Sequence, residues 1–374
     1  MVGYEQYRLK EQVLYGDNTN TYDPNLGELG NAVGTDKKTV NSYTDNYMTE
    51  GILSRIQYNY DGKYFLSASY RRDASSRFAP EHRWGNFGSV GGAWLMTKEK
   101  FLEDISWLNM LKYKASWGIQ GNDHLLILVN GEYVNNWYAY KDQYNVSYSN
   151  GQYSTTLAYK GNKDLTWETS YSFNTGFDFE LFGSRLNGTV EYFNRITKDL
   201  LYNQPTPVSS GISTGYIPTN VGSISNKGIE LDLTGVIFRT KDFEWNIGVN
   251  AAYSRNEIVS LANGKEDDPA NGWFIGESTN SIYTYESAGL WKEEDRADME
   301  KFNANGHDFQ IGMARPVDQN GDYKIDANND RTIVGHYDPR WTLGLNTNFT
   351  YKGWDLGIQL YGRMGFKYYD SSVW

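Results

Sequence analysis

The sequence lacks cysteine, long apolar runs and an excess of positive charge. Without cysteine there are no disulfide bonds and no metal sites built from thiolates. No segment approaches the roughly 20 consecutive apolar residues that a membrane-spanning helix needs, and the mean hydropathy is −0.66. The net charge of −11 disfavours a nucleic-acid partner, because nucleic acids are bound through basic surfaces.

Signatures of export and of catalysis are also missing. The segment that begins Met1-Val2-Gly3 has neither the basic nor the apolar region of a secretory signal peptide. No HExxH, GxSxG, Walker A or dinucleotide-binding motif occurs. The four histidines are isolated from one another: His82, His124, His307 and His336. The sequence therefore predicts no catalytic residues and no enzymatic activity.

Alternation between apolar and polar residues is the dominant pattern that is present. From Trp167 to Leu181, the odd positions carry aromatic residues, leucine or threonine, and the even positions carry Glu, Ser, Asn, Gly or Asp. Long alternating segments with aromatic-rich apolar faces are typical of transmembrane β-barrels, which turn one face to lipid and the other to a wet lumen. A soluble all-β protein, such as a lectin or a propeller, is the alternative interpretation.

Ten strands can be placed by this alternation. Their ranges are 51–60, 63–73, 86–96, 111–119, 166–181, 185–195, 228–238, 243–255, 340–351 and 354–363. Tight connections alternate with long ones at 74–85, 120–165, 196–227 and 256–339, and residues 97–109 have a helical pattern. Bacterial barrels have short periplasmic turns and long extracellular loops. The sequence predicts an all-β fold, an antiparallel transmembrane barrel over 51–374, preceded by an extracellular loop or leader at 1–50.

Five stretches of the sequence resemble one family. They are LSASYRRDASSRFAPEHRWGNFGSVGGAWLMTKEKF (66–101), LNMLKYKASWGIQGN (108–122), NKDLTWETSYSFNTGFDFELF (162–182), TNVGSISNKGIELDL (219–233) and DQNGDYKIDANNDRTIVGHYDPRWTLGLNTNFTYKGWDL (318–356). In this order they resemble the SusC/RagA-type TonB-dependent receptors of Bacteroidota outer membranes.

This resemblance implies a function and several partners. It implies a barrel of about 22 strands with a plug domain, embedded in outer-membrane lipid and opened by energy delivered through TonB. It also implies a SusD-like surface lipoprotein as a lid, and the import of an oligosaccharide or sometimes a peptide. The chain would then be the barrel and loop portion, about ten strands truncated at both ends, without the plug and ending at Trp374. The alternative function is a non-transporting surface glycan-binding β protein.

Aromatic residues crowd two of the long connections. Exposed rings can stack on sugars, so we predict a ligand-binding role for seven of them: Tyr133, Trp137, Tyr138, Tyr140, Trp273, Phe274 and Trp291. The alternative is that these rings pack the loops against each other or against the lid.

The segment DQNGDYKID resembles the start of an EF-hand calcium loop. Side-chain oxygens of Asp318, Asn320, Asp322 and Asp326, with the carbonyl of Lys324, have the spacing that a structural Ca²⁺ prefers. Tyr323 replaces the expected glycine, and Asn329 replaces the bidentate glutamate. The alternative is an Asp/Asn/Gly-rich surface turn without metal.

Six carboxylates fall on the polar faces of the predicted strands. They are Glu168, Asp178, Glu180, Glu230, Asp232 and Glu244. We expect them to face the lumen or the plug rather than to act as catalytic acids.

Overall fold

A computed structural model describes most of the chain. It covers residues 1–20, 39–129, 132–212, 214–262, 264, 266–368 and 370, with isolated positions at 23, 25, 28, 29 and 32. Trp374 lies outside the described residues. Strands predominate, and in the described ranges no helix is long and apolar enough to cross a membrane.

The described secondary structure contains 21 strands and one α-helix. In chain order they are β1 (Val2–Asp17), β2 (Thr39–Tyr60), β3 (Tyr64–Ser75), β4 (Trp84–Leu95), β5 (Leu108–Asn122), β6 (Leu126–Val129), β7 (Glu132–Asn135), β8 (Gln143–Ser149), β9 (Gln152–Tyr159), β10 (Glu168–Leu181), β11 (Leu186–Lys198), β12 (Leu201–Pro205), β13 (Tyr216–Asn220), β14 (Ser223–Arg239), β15 (Phe243–Ser260), β16 (Ser281–Tyr285), β17 (Ser287–Leu290), α1 (Arg296–Ala304), β18 (Ala314–Pro316), β19 (Arg331–His336), β20 (Trp341–Tyr351) and β21 (Trp354–Met364).

Eleven of the strands form one antiparallel sheet, which we call the wall. Their order is β1-β2-β3-β4-β5-β10-β11-β14-β15-β20-β21, so every neighbour in the wall is also the next wall strand along the chain. This up-and-down order is the topology of an outer-membrane barrel. The predicted all-β fold is confirmed.

The register of the wall separates apolar from polar residues. Phe173 lies opposite Trp117, and Phe177 lies opposite Tyr113 on one side and Val190 on the other. These side chains share one face, and Phe173, Phe177 and Trp117 are exposed on it. We call this the outer face. The alternate residues share the other face, the inner face, where Lys114 lies opposite Gly176.

The expectation of a leader over 1–50 is wrong for most of that segment. β1 pairs with β2 along its whole length, from Val2 opposite Ser54 to Asp17 opposite Thr39. β1 is therefore an eleventh wall strand. Its alternation is weak in the sequence because charged residues such as Glu5 and Lys10 fall on both of its faces.

All ten predicted strands are present, and their connections differ at the two ends of the wall. At one end, the turn end, Asp61 and Gly62 have φ values of 54° and 58°, as a type I′ turn requires. The other end, the loop end, carries the long connections, with β6–β9, β12–β13 and β16–β19. The helical pattern of residues 97–109 does not produce an α-helix in the described structure. A 3-10 turn at Met96–Lys98 covers the start of this range.

The buried residues are concentrated in the loops rather than in the wall. One apolar cluster contains Phe78, Leu125, Ala139 and Leu165, with Trp167 and Leu201 packed against it. A second contains Trp291, Met299 and Phe302. We call the long connections together the loop layer. The first cluster joins three connections beside the start of β10, and the second lies within a single connection.

Candidate functional site

Trp137, which was predicted to bind ligand, packs inside the loop layer. Its ring lies 4.8 Å from the ring of Tyr47, and the guanidinium of Arg77 lies 4.6 Å from it. Arg77 is 4% exposed and donates hydrogen bonds to the carbonyl of Asp123 and to Asn135 Oδ1, each at 3.0 Å. Trp137 therefore covers a buried cation that joins two connections.

Tyr138 and Tyr140 are also engaged by neighbours. The hydroxyl of Tyr138 accepts a hydrogen bond from the backbone N–H of Asn46 at 2.9 Å. The ammonium group of Lys141 lies 5.6 Å from the Tyr138 ring and 5.3 Å from the Tyr140 ring. The side chain of Tyr133 lies outside the described residues. A ligand contact by these residues stays a prediction.

The burial of Trp291 contradicts the prediction that it belongs to a ligand-binding surface. It is 1% exposed and packs edge-on against Phe302 at 5.6 Å, with Arg315 4.7 Å from its ring. Its neighbours come from α1, from the segment before β18 and from β18 itself. We call residues 286–330 the insert module. Trp291 is the centre of this module's core, a role that composition alone did not reveal.

Trp273 lines a cavity. Its ring contacts Tyr202 edge-on at 5.6 Å, while the neighbouring Phe274 packs on Tyr283 at 4.7 Å. The cavity has a volume of about 750 Å³ and lies between the β12 hairpin and the segment 261–280. Ile224 and Ile258, which are inner-face residues of β14 and β15, also line it. We call this space the rim pocket.

The polar side chains that line the rim pocket carry hydroxyl, amide or carboxylate groups. They are Tyr202, Gln204, Ser260, Asp268, Asn271, Thr279 and Asn280. None of its described lining residues is Lys, Arg or His. The chemistry favours a polyhydroxylated or amide-rich ligand and disfavours an anionic one. The sequence pointed to Trp273 but missed Tyr202 and Asp268, which no aromatic-rich stretch marks.

Asp268 sets the electrostatics of the rim pocket. It accepts hydrogen bonds from the side-chain amide of Asn271 at 2.8 Å and from the backbone N–H of the same residue at 3.2 Å. Burial raises the pKa of Tyr202, and the nearby charge of Asp268 raises it further. Tyr202 therefore keeps its hydroxyl proton at neutral pH and can donate a hydrogen bond to a ligand.

The inner face of the wall carries a charge-paired patch. Asp178 lies 3.3 Å from Lys112 and 3.0 Å from Lys114, and Lys114 also lies 2.9 Å from Glu191. Across the sheet, Glu230 and Asp232 line a concave surface with Asn250 and Gln359. Glu180 receives a hydrogen bond from Ser184, Glu168 from Asn122, and Glu244 pairs with Arg239. These carboxylates make the inner face of the wall polar.

The calcium-like loop holds its carboxylates against its own backbone. Asp318 accepts hydrogen bonds from the N–H groups of Gly321 and Tyr323, each at 2.7 Å, and Asp322 accepts from that of Lys324 at 2.8 Å. Asn320 and Asp326 cap turns in the same way. Tyr323 has a φ of 59°, the left-handed conformation that favours glycine.

This arrangement does not present a metal cluster. Among the residues that the structure describes, no group of three or more His, Asp or Glu side chains is placed to hold a metal ion. The same hydrogen bonds are those of an Asp/Asn-rich surface turn, so the described geometry does not decide between the two interpretations. Calcium binding therefore stays a prediction. A calorimetric titration tests it: Ca²⁺ binding that disappears in Asp318→Asn would support it, and absence of binding would refute it.

Comparison with known proteins identifies relatives over nearly the whole chain. Residues 2–373 match the family described as TonB dependent receptor-like, beta-barrel. TonB-dependent receptor P39 of Formosa agariphila is 31% identical over 94% of this chain and 35% of its own length. TonB-dependent receptor SusC of Bacteroides thetaiotaomicron is 28% identical over 85% of this chain and 31% of its own length. The chain thus spans about a third of these relatives.

A solved structure shares the fold. The structure of the RagAB peptide transporter superposes with a TM-score of 0.77 at 27% identity, covering 97% of this chain and 39% of that chain. The same importer in its closed-closed state superposes with a TM-score of 0.78 at 26% identity, covering 98% of this chain and 39% of that chain.

Proposed function

The chain belongs to the TonB-dependent receptor-like β-barrel family and is an outer-membrane protein; from that premise we propose that it forms wall and outer loops of an importer. The cargo would be a large nutrient, which we take to be an oligosaccharide. Energy would come from TonB through a part of the receptor outside this chain. A SusD-like lipoprotein would close the loop end as a lid.

The observation that carries the proposal is the rim pocket. It lies on the inner side of the wall at the loop end, where a solute from outside would enter the lumen. Its volume is typical of sites for small organic ligands. Rings with nearby hydroxyl, amide and carboxylate groups suit the alternating apolar and polar surfaces of a sugar.

A peptide is the second candidate cargo. It is favoured by the likeness to the RagAB peptide transporter, because that protein and this chain share the wall and loop architecture. The rim pocket argues for a sugar, because its described lining offers no cation for a peptide's carboxylate. A neutral oligosaccharide has no charge that requires such a partner.

The lid is supported by apolar side chains on the insert module. Leu290, Ile311 and Met313 are 57%, 39% and 44% exposed. They lie close together, because the backbone N–H of Trp291 donates to the carbonyl of Met313. A partner protein would remove these side chains from water.

Trp273→Ala in the full receptor tests the proposal. Affinity for neutral oligosaccharides should fall by about tenfold, which corresponds to about 1.4 kcal/mol, while membrane levels stay unchanged. Phe274→Ala is the matched control, since Phe274 packs on Tyr283 and is not among the residues that line the pocket.

Three results would contradict the proposal or favour one of its alternatives. Equal affinity in both variants would remove the rim pocket from the uptake route. Selective loss of peptide binding would transfer the proposal to peptides. Release of the receptor into buffer without detergent would favour the non-transporting glycan-binding alternative.

A further inference from the structure

A second cavity lies beside the rim pocket on the inner face of the wall. It has a volume of about 320 Å³ and is lined by loop-end residues of β14, β15 and β20 and by the segments 277–278 and 336–340. Asn226 and Asn256 line it from directly opposed inner-face positions of β14 and β15. Its lining contains side chains of both charge signs, so we call this space the charged pocket.

The charged pocket and the rim pocket share one hydrogen-bonded partition. The carboxylate of Asp338 accepts hydrogen bonds from the hydroxyl of Ser278 at 2.9 Å and from the amide of Asn256 at 3.2 Å. The amide of Asn280 donates to the same carboxylate at 3.0 Å. Asn280 lines the rim pocket, whereas the other three residues line the charged pocket. Two neighbouring units of one ligand can therefore occupy the two pockets.

Two of the charged groups in the lining already have partners. Asp338 is held by the three neutral donors of the partition. Arg255 pairs with Glu257 at 2.7 Å and donates a hydrogen bond to the carbonyl of Gly276 at 3.2 Å. These two side chains therefore belong to the frame of the pocket and are not open to a charged ligand.

Glu277 and Arg340 have no such partners. Neither side chain forms an ion pair or a hydrogen bond with any residue that the structure describes, and they do not pair with each other. Both are half-buried. A charge that is partly removed from water is costly when it is unpaired, and a ligand group of opposite sign offsets that cost. The charged pocket therefore offers one uncompensated charge of each sign.

His336 adds a hydrogen-bonding group to the lining. Its Nδ1 lies 2.8 Å from the backbone carbonyl oxygen of Asp338. Because a carbonyl oxygen only accepts, Nδ1 carries the proton, and Nε2 of the neutral ring is then an acceptor. The pocket can thus receive a hydroxyl or N–H group of a ligand in addition to its charged groups.

We propose that the charged pocket binds a zwitterionic unit of the cargo, with its carboxylate on Arg340 and its ammonium group on Glu277. The guanidinium group matches a carboxylate with two parallel hydrogen bonds. The inference rests on the proposed function and deepens it, because it names a chemical feature of the cargo beside the neutral unit in the rim pocket. An amino sugar that bears a carboxyl group has this chemistry, and so does an amino acid.

Calorimetric binding to the purified full receptor in detergent tests the inference without any import assay. The probe is muramic acid, a sugar with one amino and one carboxyl group, at a pH at which the amino group is protonated. Glucosamine lacks the carboxyl group, N-acetylmuramic acid lacks the charged amine, and alanyl-alanine supplies both charges without a sugar. The variants are Arg340→Gln and Glu277→Gln. The matched control is Arg363→Gln, an exposed arginine opposite Thr342 that does not line the pocket.

The native receptor should bind muramic acid about tenfold more tightly than either singly charged sugar, as expected for a hydrogen-bonded charge pair. Arg340→Gln should lose the preference over glucosamine, because the carboxylate then has no partner. Glu277→Gln should lose the preference over N-acetylmuramic acid, and Arg363→Gln should keep both preferences.

Equal affinity of the native receptor for the three sugars and the dipeptide would overturn the inference, and so would preferences that survive in both pocket variants. Binding of alanyl-alanine in place of muramic acid, with the same dependence on Arg340 and Glu277, would support the zwitterionic unit and make it an amino acid. Trp273→Ala should leave muramic acid binding intact. If that variant also keeps its affinity for neutral oligosaccharides, the proposed role of the rim pocket fails and the charged pocket stands.

Discussion

Aromatic residues are exposed on the outer face of the wall and buried in the apolar clusters of the loop layer. In the wall, Phe177 and Trp117 are exposed, because the solvent on the outer face is lipid. In the loop layer, Trp291 and Phe302 are buried, because the solvent there is water. In the wall, the position of an aromatic residue along its strand determines whether its ring is exposed. In the loop layer, long-range packing determines it.

Removing a core ring from the loop layer should have the largest effect. Trp291→Ala leaves a cavity between α1 and the segment before β18, and we expect a loss of about 3–5 kcal/mol in the stability of the insert module. Hydrogen exchange of the amides in Arg296–Ala304 measures it. Trp273→Ala should leave that exchange unchanged. Native protection of α1 in Trp291→Ala would show that the module's core lies elsewhere.

A charge on the outer face of the wall should cost somewhat less. Leu345 is an outward residue near the middle of β20, and Asn346 beside it points inward. Leu345→Arg should lower the free energy of unfolding from bilayers by about 2–4 kcal/mol, and Asn346→Arg should change it little. Denaturant titration of the full receptor in lipid vesicles measures both. Equal costs would mean that the two faces are not distinguished by lipid.

These two regions also differ in how far the sequence predicts them. Period-2 alternation located ten wall strands, because whether a wall residue faces lipid or the lumen depends only on its odd or even position along the strand. β1 was missed, because charged residues such as Glu5 and Lys10 lie on both of its faces and weaken the apolar–polar alternation. Trp273 and Trp291 look alike in sequence, and only contacts with Tyr202 or with α1 separate them. Residues 318–326 have calcium-like spacing, but spacing does not show that their oxygens already accept backbone N–H groups.

Close backbone approach in the loop layer gives a smaller effect. A Cβ on Gly161 would lie 2.4–2.6 Å from backbone atoms of Lys141. Gly161→Ala should therefore destabilise the β8–β9 hairpin and its base by about 1–3 kcal/mol. In the wall, Gly362→Ala meets no atom within 4 Å and should be neutral. Limited proteolysis near residues 142–160 compares them, and equal cleavage rates would contradict the predicted clash.

A pH effect at the same base should be the smallest. Asp142 accepts a hydrogen bond from Lys160 at 2.9 Å and one from the N–H of Gly161 at 3.0 Å. The bond from Lys160 is the main cause that holds the pKa of Asp142 below its ordinary value. This contribution to stability is complete above the unfolded-state pKa of about 4 and is lost as pH falls through the lower folded-state pKa. Proteolysis at the hairpin should rise at low pH, and Asp142→Asn should weaken that rise.

The two-faced wall is the central claim, and single-cysteine labelling tests it most directly. This chain contains no cysteine of its own, which leaves the introduced thiol distinct within it. Leu345→Cys and Asn346→Cys would each be placed in the full receptor and treated in lipid vesicles with a membrane-impermeant maleimide. We predict that the thiol at 346 reacts through the wet lumen and that the thiol at 345 stays shielded by lipid. The reverse pattern, or equal reaction at both positions, would contradict the assignment of the faces.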